Sequence, residues 1–166
     1  MNKQKTLVVY FSATGITAKA AATLAEAADA DLFAIQPAKP YTAADLDWTD
    51  KKSRSTLEMN DPHSRPAVAN RVENMKDYTT VFVGFPIWWG DMPMILYTFF
   101  DRYELSGKKL VPFVTSGGSG FSNTRSTIAD LEPNAAVLDG LALGSSEAKA
   151  PASAVKKWLT SIGLAS

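Results

Sequence analysis

No cysteine occurs among the 166 residues, which removes disulfide stapling, thiol catalysis, iron–sulfur ligation and Cys-based zinc sites in one step. Cysteine usage therefore leaves the redox compartment open. Histidine is nearly absent too: the single one, His63, lies between Pro62 and Ser64, where a lone loop imidazole is more often solvated than catalytic. An excess of either charge is also missing, because Lys plus Arg (17) equals Asp plus Glu (17). No bulk field favours nucleic acid, an anionic membrane or a strongly basic partner. Nor is there a long hydrophobic run. Residues 1–6 lead directly into five apolar residues, too few for a signal-peptide core or a membrane span, and the chain reads as soluble and cytoplasmic. Internal repeats and low-complexity tracts are lacking as well.

What is present fits one domain, residues 1–166, in which 46% hydrophobic residues build a sizeable core. Near-continuous apolar runs alternate with stretches of helical period, the pattern of a parallel sheet covered by helices on both faces. Three runs are strong: Leu7-Val8-Val9-Tyr10-Phe11, Val81-Phe82-Val83-Gly84-Phe85 and Leu110-Val111-Pro112-Phe113-Val114. Pro112 weakens the third by removing a ladder donor. Leu32-Phe33-Ala34-Ile35 and Ala136-Val137-Leu138 complete a five-stranded sheet.

Between the strands, Leu96, Phe99, Phe100 and Tyr103 follow helical spacing, with Pro93 before them and Gly107 after. Val155, Trp158, Leu159 and Ile162 form a second stripe, opened by Pro151 and closed by Gly163. An alanine-rich helix is expected over residues 16–28 with Ile16, Ala20, Leu24 and Ala27 inward. Further helices are expected over residues 68–75 and, capped by Ser122, over 123–131. Residues 36–66 are the exception, carrying four prolines and no sustained apolar period. Such a length without structure either walls a site or is a solvated excursion, here with a short helix around residues 46–57.

Each strong strand is followed by a loop with ligand chemistry, at the edge where open α/β sheets bind ligands. Ser12-Ala13-Thr14-Gly15-Ile16-Thr17 offers hydroxyls at Ser12, Thr14 and Thr17 and a flexible glycine at a helix N-terminus, a phosphate cradle or simply a Ser/Thr-capped helix start. Lys and Arg are absent from it. That argues against a nucleoside triphosphatase, whose loop ends in Gly-Lys, and fits a monophosphate. In Pro86-Ile87-Trp88-Trp89-Gly90-Asp91 two adjacent indoles cannot both enter the sheet core, so one meets a flat ligand or solvent, unless it caps the core. Gly90 lets its peptide take either sign of φ. Thr115-Ser116-Gly117-Gly118-Ser119-Gly120-Phe121 allows close backbone approach, unless it is only a glycine-rich turn. Phe121 is placed to close that edge.

Ser12-x-Thr14-Gly15-x-Thr17 after an amino-terminal strand resembles the phosphate loop of the flavodoxins, Thr/Ser-x-Thr-Gly-x-Thr. The likeness extends over the whole chain in element order, length, the Trp-Gly-Asp loop and the glycine-rich loop. It implies a flavodoxin-like doubly wound parallel sheet of order 2-1-3-4-5. It implies FMN as cofactor, with residues 12–17 on the phosphate, residues 86–91 on the isoalloxazine, residues 115–118 at its pyrimidine end and Gly90 as the redox-linked peptide. Two features depart from the acidic electron carriers of the family: the chain is neutral, and the third loop offers Phe121 instead of a tyrosine. Three functions stand against one another. The first is FMN-dependent electron transfer between redox partner proteins, as a monomer or weak dimer, without nucleic acid or membrane. The second is an FMN-dependent reductase passing electrons from a nicotinamide to a quinone-type acceptor. The third is a flavin-free binding module on the same fold. Neither redox reading needs a catalytic side chain or a metal, and the sparse stock of nucleophiles and acids favours both over hydrolysis.

Overall fold

Strands buried on both faces pair in parallel, because helical crossovers return each strand in the same direction. The computed structural model describes residues 5–89, 91–116 and 124–164. Its strands are β1 (Lys5–Tyr10), β2 (Asp31–Ala34), β3 (Tyr78–Pro86), β4 (Lys109–Thr115), β5 (Ala136–Val137) and β6 (Leu141–Leu143). They form one sheet in the expected order, β2-β1-β3-β4-β5, with β6 also paired to β4, and every pairing is parallel. The helices are α1 (Ile16–Ala28), α2 (Arg54–Met59), α3 (Met94–Arg102), α4 (Thr124–Leu131), α5 (Ser145–Lys149) and α6 (Ala152–Ser161).

Alternation along the strands divides the core into two layers. Leu7, Val9, Val81, Val83, Phe85 and Leu110 pack beneath Ile95, Leu96 and Phe99 of α3 and Ile128 of α4. Val8, Phe82, Val111 and Phe113 meet Ala20, Ala21 and Leu24 of α1 and Val155, Trp158 and Leu159 of α6. Trp158 is core, as its stripe predicts: it stands edge-on to Phe82 at 5.5 Å, and its Nε1 donates to the Asp139 carbonyl at 3.0 Å.

Four local expectations are corrected. Residues 68–75 are not helical, because long-range partners take their backbone and side-chain polar groups. Val68 bridges Pro37, the Asn70 amide holds the Ala34 carbonyl at 2.7 Å and the Gln36 N–H at 3.1 Å, and Val72 N–H donates to the Tyr103 hydroxyl. Only a 3₁₀ turn forms there, at Met75–Asp77. The helix sought around residues 46–57 is shorter and later, starting where the Ser53 hydroxyl caps α2. Ile16 is 53% exposed instead of inward, since it opens the first turn of α1 and lines a cavity, and Ala27 is only partly buried. Finally, the fifth strand is split into β5 and β6, so the sheet has six strands rather than five.

Gly84 of β3 is fixed by a close approach. A Cβ added there would lie 2.0 Å from the Phe113 ring. Gly84→Ala is therefore expected to lower stability by about 1–3 kcal/mol in urea denaturation, and Phe113→Leu in the same chain to recover part of that loss. Equal midpoints for the parent and the single variant would remove this contact from the account.

Candidate functional site

The site begins where β1 hands over to α1. Gly15 takes φ 93°, a left-handed conformation that glycine adopts without strain, and its N–H donates to the Ser12 hydroxyl at 3.0 Å. That bond uses an acceptor lone pair of Ser12, so the hydroxyl proton remains available for a ligand. The helix has no side-chain cap, and its first internal bond runs from Lys19 N–H to the Gly15 carbonyl. The amides of Ile16, Thr17 and Ala18 thus precede the hydrogen-bonded ladder at the positive end of the helix dipole. Thr14 is exposed. Thr17 is buried, its hydroxyl 2.9 Å from that of Thr115, which ties the first loop to the third.

The second loop is a tight turn. Trp88 and Asp91 exchange two backbone bonds of 2.9 Å, and Trp89 between them takes φ 50°. A positive φ is uncommon for so large a residue. The two indoles do separate: Trp88 packs edge-on to Phe11 and Tyr41 at 5.8 and 5.6 Å, while Trp89 is 49% exposed. Asp91 turns to α3, accepting from the Tyr97 hydroxyl at 3.0 Å and from Met92 N–H at 2.7 Å. Burial and the Asp91 charge push the Tyr97 hydroxyl up to about 12.

These loops open on a cavity of about 710 Å³, within the usual range for small-molecule sites. Of the residues singled out in the sequence, Ala13 to Thr17, Pro86, Ile87, Trp88, Thr115 and Ser116 line it. Ser12, Trp89 and Asp91 are not among its lining residues, Ser12 holding the loop through its bond from Gly15 N–H. Gly90, Gly117, Gly118 and Phe121 lie outside the described residues. The cavity also has walls that the sequence reading missed: Lys19, Leu46, Ala148 and Lys149. Lys19 was legible as a cation one turn into α1. Lys149 follows a strand too short to recognise.

Residues 36–66 wall the site. The Tyr41 hydroxyl donates to Glu58 at 2.5 Å, Arg54 donates to the same carboxylate at 2.9 Å, and the guanidinium lies 3.8 Å above the Tyr41 ring. Burial raises the Tyr41 hydroxyl far above its ordinary range, so it remains a donor. From this clamp the chain delivers Leu46 to the cavity and Leu46, Trp48 and Ser55 to a smaller neighbouring pocket. His63 is exposed and lines neither. Among the described residues no group of His, Asp and Glu could hold a metal, and no helix is long and apolar enough to cross a membrane.

Uncapped amides, hydroxyls and two ammonium groups suit a phosphate monoester, while Ile87 and Trp88 suit a flat ring. The residues present therefore fit FMN.

A family model described as Flavodoxin matches residues 5–162. Among solved structures, a candidate flavoprotein of Bacteroides eggerthii DSM 20697 is 46% identical with a TM-score of 0.88, over 97% of this chain and 99% of its own. A second, from Bacteroides uniformis ATCC 8492, is also 46% identical at 0.88, over 95% and 98%. A flavoprotein of Lactobacillus acidophilus NCFM, solved in complex with FMN, shares the fold at 21% identity and a TM-score of 0.67, over 89% and 97%. No curated protein matches the sequence.

The Tyr97–Asp91 bond predicts an alkaline limb of stability. An unfolded tyrosine loses its proton near 10, whereas Tyr97 retains it to about 12. Between those values the folded state holds the extra proton, so its stabilisation is complete below pH 10 and is lost as pH rises towards 12. Tyr97→Phe is expected to flatten that limb in urea midpoints measured across the window. An identical slope in both proteins would exclude Tyr97 as its source.

Proposed function

This chain belongs to the flavodoxin family, and on that premise we propose that it binds one FMN and carries electrons between redox partner proteins. The observation that carries the reading is the convergence, on one cavity, of the uncapped α1 terminus, the Thr14 and Thr17 loop and the Trp88 turn. The amides of Ile16 and Thr17 with the Thr14 hydroxyl would take the phosphate oxygens, and Lys19 and Lys149 would offset their charge. Ile87 and Trp88 would exclude water from the ring, and Thr115 with Ser116 would supply polar contacts at its edge. Bound there, FMN supplies the electron storage that no side chain of this protein offers. With equal numbers of acidic and basic residues, docking would depend on local contacts near the cavity mouth and not on long-range attraction. We expect a monomer or weak dimer that acts in the cytoplasm on protein partners, without nucleic acid or membrane.

The test is the visible spectrum of the purified protein before and after FMN is added. Uptake of one equivalent is expected; a protein that never takes up flavin would refute the reading. Thr14→Val should weaken FMN binding by about tenfold or less through one lost hydrogen bond. Lys149→Ala should weaken it too, and should make the dissociation constant less sensitive to salt. Reduction of the loaded protein by NADH or NADPH should be sluggish without an added reductase. Rapid reduction would replace the carrier with the nicotinamide-dependent reductase.

A further inference from the structure

Helices α1 and α6 pack on the same face of the sheet, over Val8 and Phe82, and a groove of about 600 Å³ opens between them. It shares no residue with the large cavity. The α1 wall is Thr23, Glu26 and Ala27. The α6 wall carries Lys156 and Thr160, with Ala152 and the buried Leu159 as apolar surface.

The two walls differ in sign. Glu26 is the one charged residue on the α1 wall and Lys156 the one on the α6 wall; both are exposed, and among the described residues neither is held in an ion pair. The hydroxyls are already engaged as donors, Thr23 to the Lys19 carbonyl at 3.1 Å and Thr160 to the Lys156 carbonyl at 3.0 Å. A small polar ligand would therefore find no free hydroxyl proton in the groove.

A second copy of the chain matches these walls. A two-fold axis running along the groove lays α1 of each copy over α6 of the other, which sets Glu26 against the partner's Lys156 twice. The alanines on each wall let helices approach closely, and equal numbers of acidic and basic residues leave no net repulsion between copies. We propose that the α1–α6 groove is the interface of an isologous dimer, with the two reciprocal Glu26–Lys156 contacts fixing its register. Helices of 13 and 10 residues are about 20 and 15 Å long. Laid about 10 Å apart, they cover about 350 Å² on each copy, which is small for a protein interface. The dimer is accordingly weak, with half-association at roughly 0.1 mM. This gives the weak dimer expected above a defined surface, and it does not rest on the FMN reading.

The test is sedimentation velocity from about 10 μM to about 1 mM, a range that brackets the expected midpoint. The parent should pass from monomer to dimer across it. Glu26→Lys and Lys156→Glu should each raise the dissociation constant at least about fivefold, because each turns both contacts from attraction to repulsion. The double variant Glu26→Lys/Lys156→Glu restores opposite signs and should return to within about twofold of the parent. Lys157→Glu, exposed on α6 but outside the groove, makes the same charge change and should stay within about twofold as well. Circular dichroism verifies that each variant is folded. A parent that stays monomeric throughout, a double variant as weak as the single ones, or a Lys157→Glu as disruptive as Lys156→Glu would each overturn the proposal. Because Glu26 and Lys156 do not line the large cavity, the same outcomes are expected with and without added FMN.

Discussion

Three amides at the start of α1 have no acceptor inside the helix, and the rest of the molecule is arranged around the space they face. A helix end of this kind is useful only if it is held still. Ala20, Ala21 and Leu24 press α1 onto the sheet beside Val8 and Phe82, where small side chains permit close packing. Gly15 is demanded by its φ of 93° and not by crowding, since a Cβ there would meet nothing within 4 Å. The Ser12 hydroxyl then fixes the loop from one side, and the buried Thr17–Thr115 pair fixes it from the other. The cradle is thus set by local hydrogen bonds and packing within the protein itself, so less ordering entropy remains to be lost on binding.

The far side of the site is organised by aromatic contacts. Phe11 at the end of β1, Tyr41 from the excursion and Trp88 from the β3 loop form a triangle with centroid separations of 5.6, 5.8 and 5.6 Å, all edge-on. Each such pair contributes about 0.5–1.5 kcal/mol beyond its buried area. Tyr41 is held in turn by Glu58 and Arg54, a half-buried ion pair whose main effect is positional. The excursion is therefore fastened at its middle to the ends of two strands. Leu46 and Trp48 reach the site as a consequence.

Elements with a long apolar period were legible in the sequence. Residues 16–28 are helical as expected, and the three strong strands form the centre of the sheet, because buried pleated runs and alanine-rich stripes each admit one packing. Legibility ended where tertiary partners outweigh local pattern. Val68, Val72 and Met75 have helical spacing, yet the hydrogen bonds of Asn70 and Val72 hold that stretch irregular against β2 and α3. Leu141–Leu143 is too short to show a period, so β6 and the α5 helix after it were missed, and Lys149 with them. The loops were recognised by their residue types. Their division of labour, with Asp91 turned to Tyr97 and Thr17 to Thr115, depends on partners far along the chain.

Pro112 links the last of these gaps to the site. Its neighbour two residues earlier, Leu110, accepts from Leu138 N–H at 2.9 Å and so faces the edge of the sheet. Residues two apart in a strand direct their amide groups to the same side, so Pro112 faces that edge as well, where it has no N–H to donate. The edge strand parts at this point. The register runs from Leu110↔Val137 to Phe113↔Leu141, so the edge chain advances one residue more than β4, as at a bulge. Pairing then resumes through β6, with Ser116 N–H donating to the Leu143 carbonyl at 3.0 Å, and α5 follows at once. That course sets Ala148 and Lys149 on the wall of the large cavity, to which α1 contributes Lys19. A proline that weakens its strand as sequence accordingly sits at the break from which the chain returns a second cation to the wall of the large cavity.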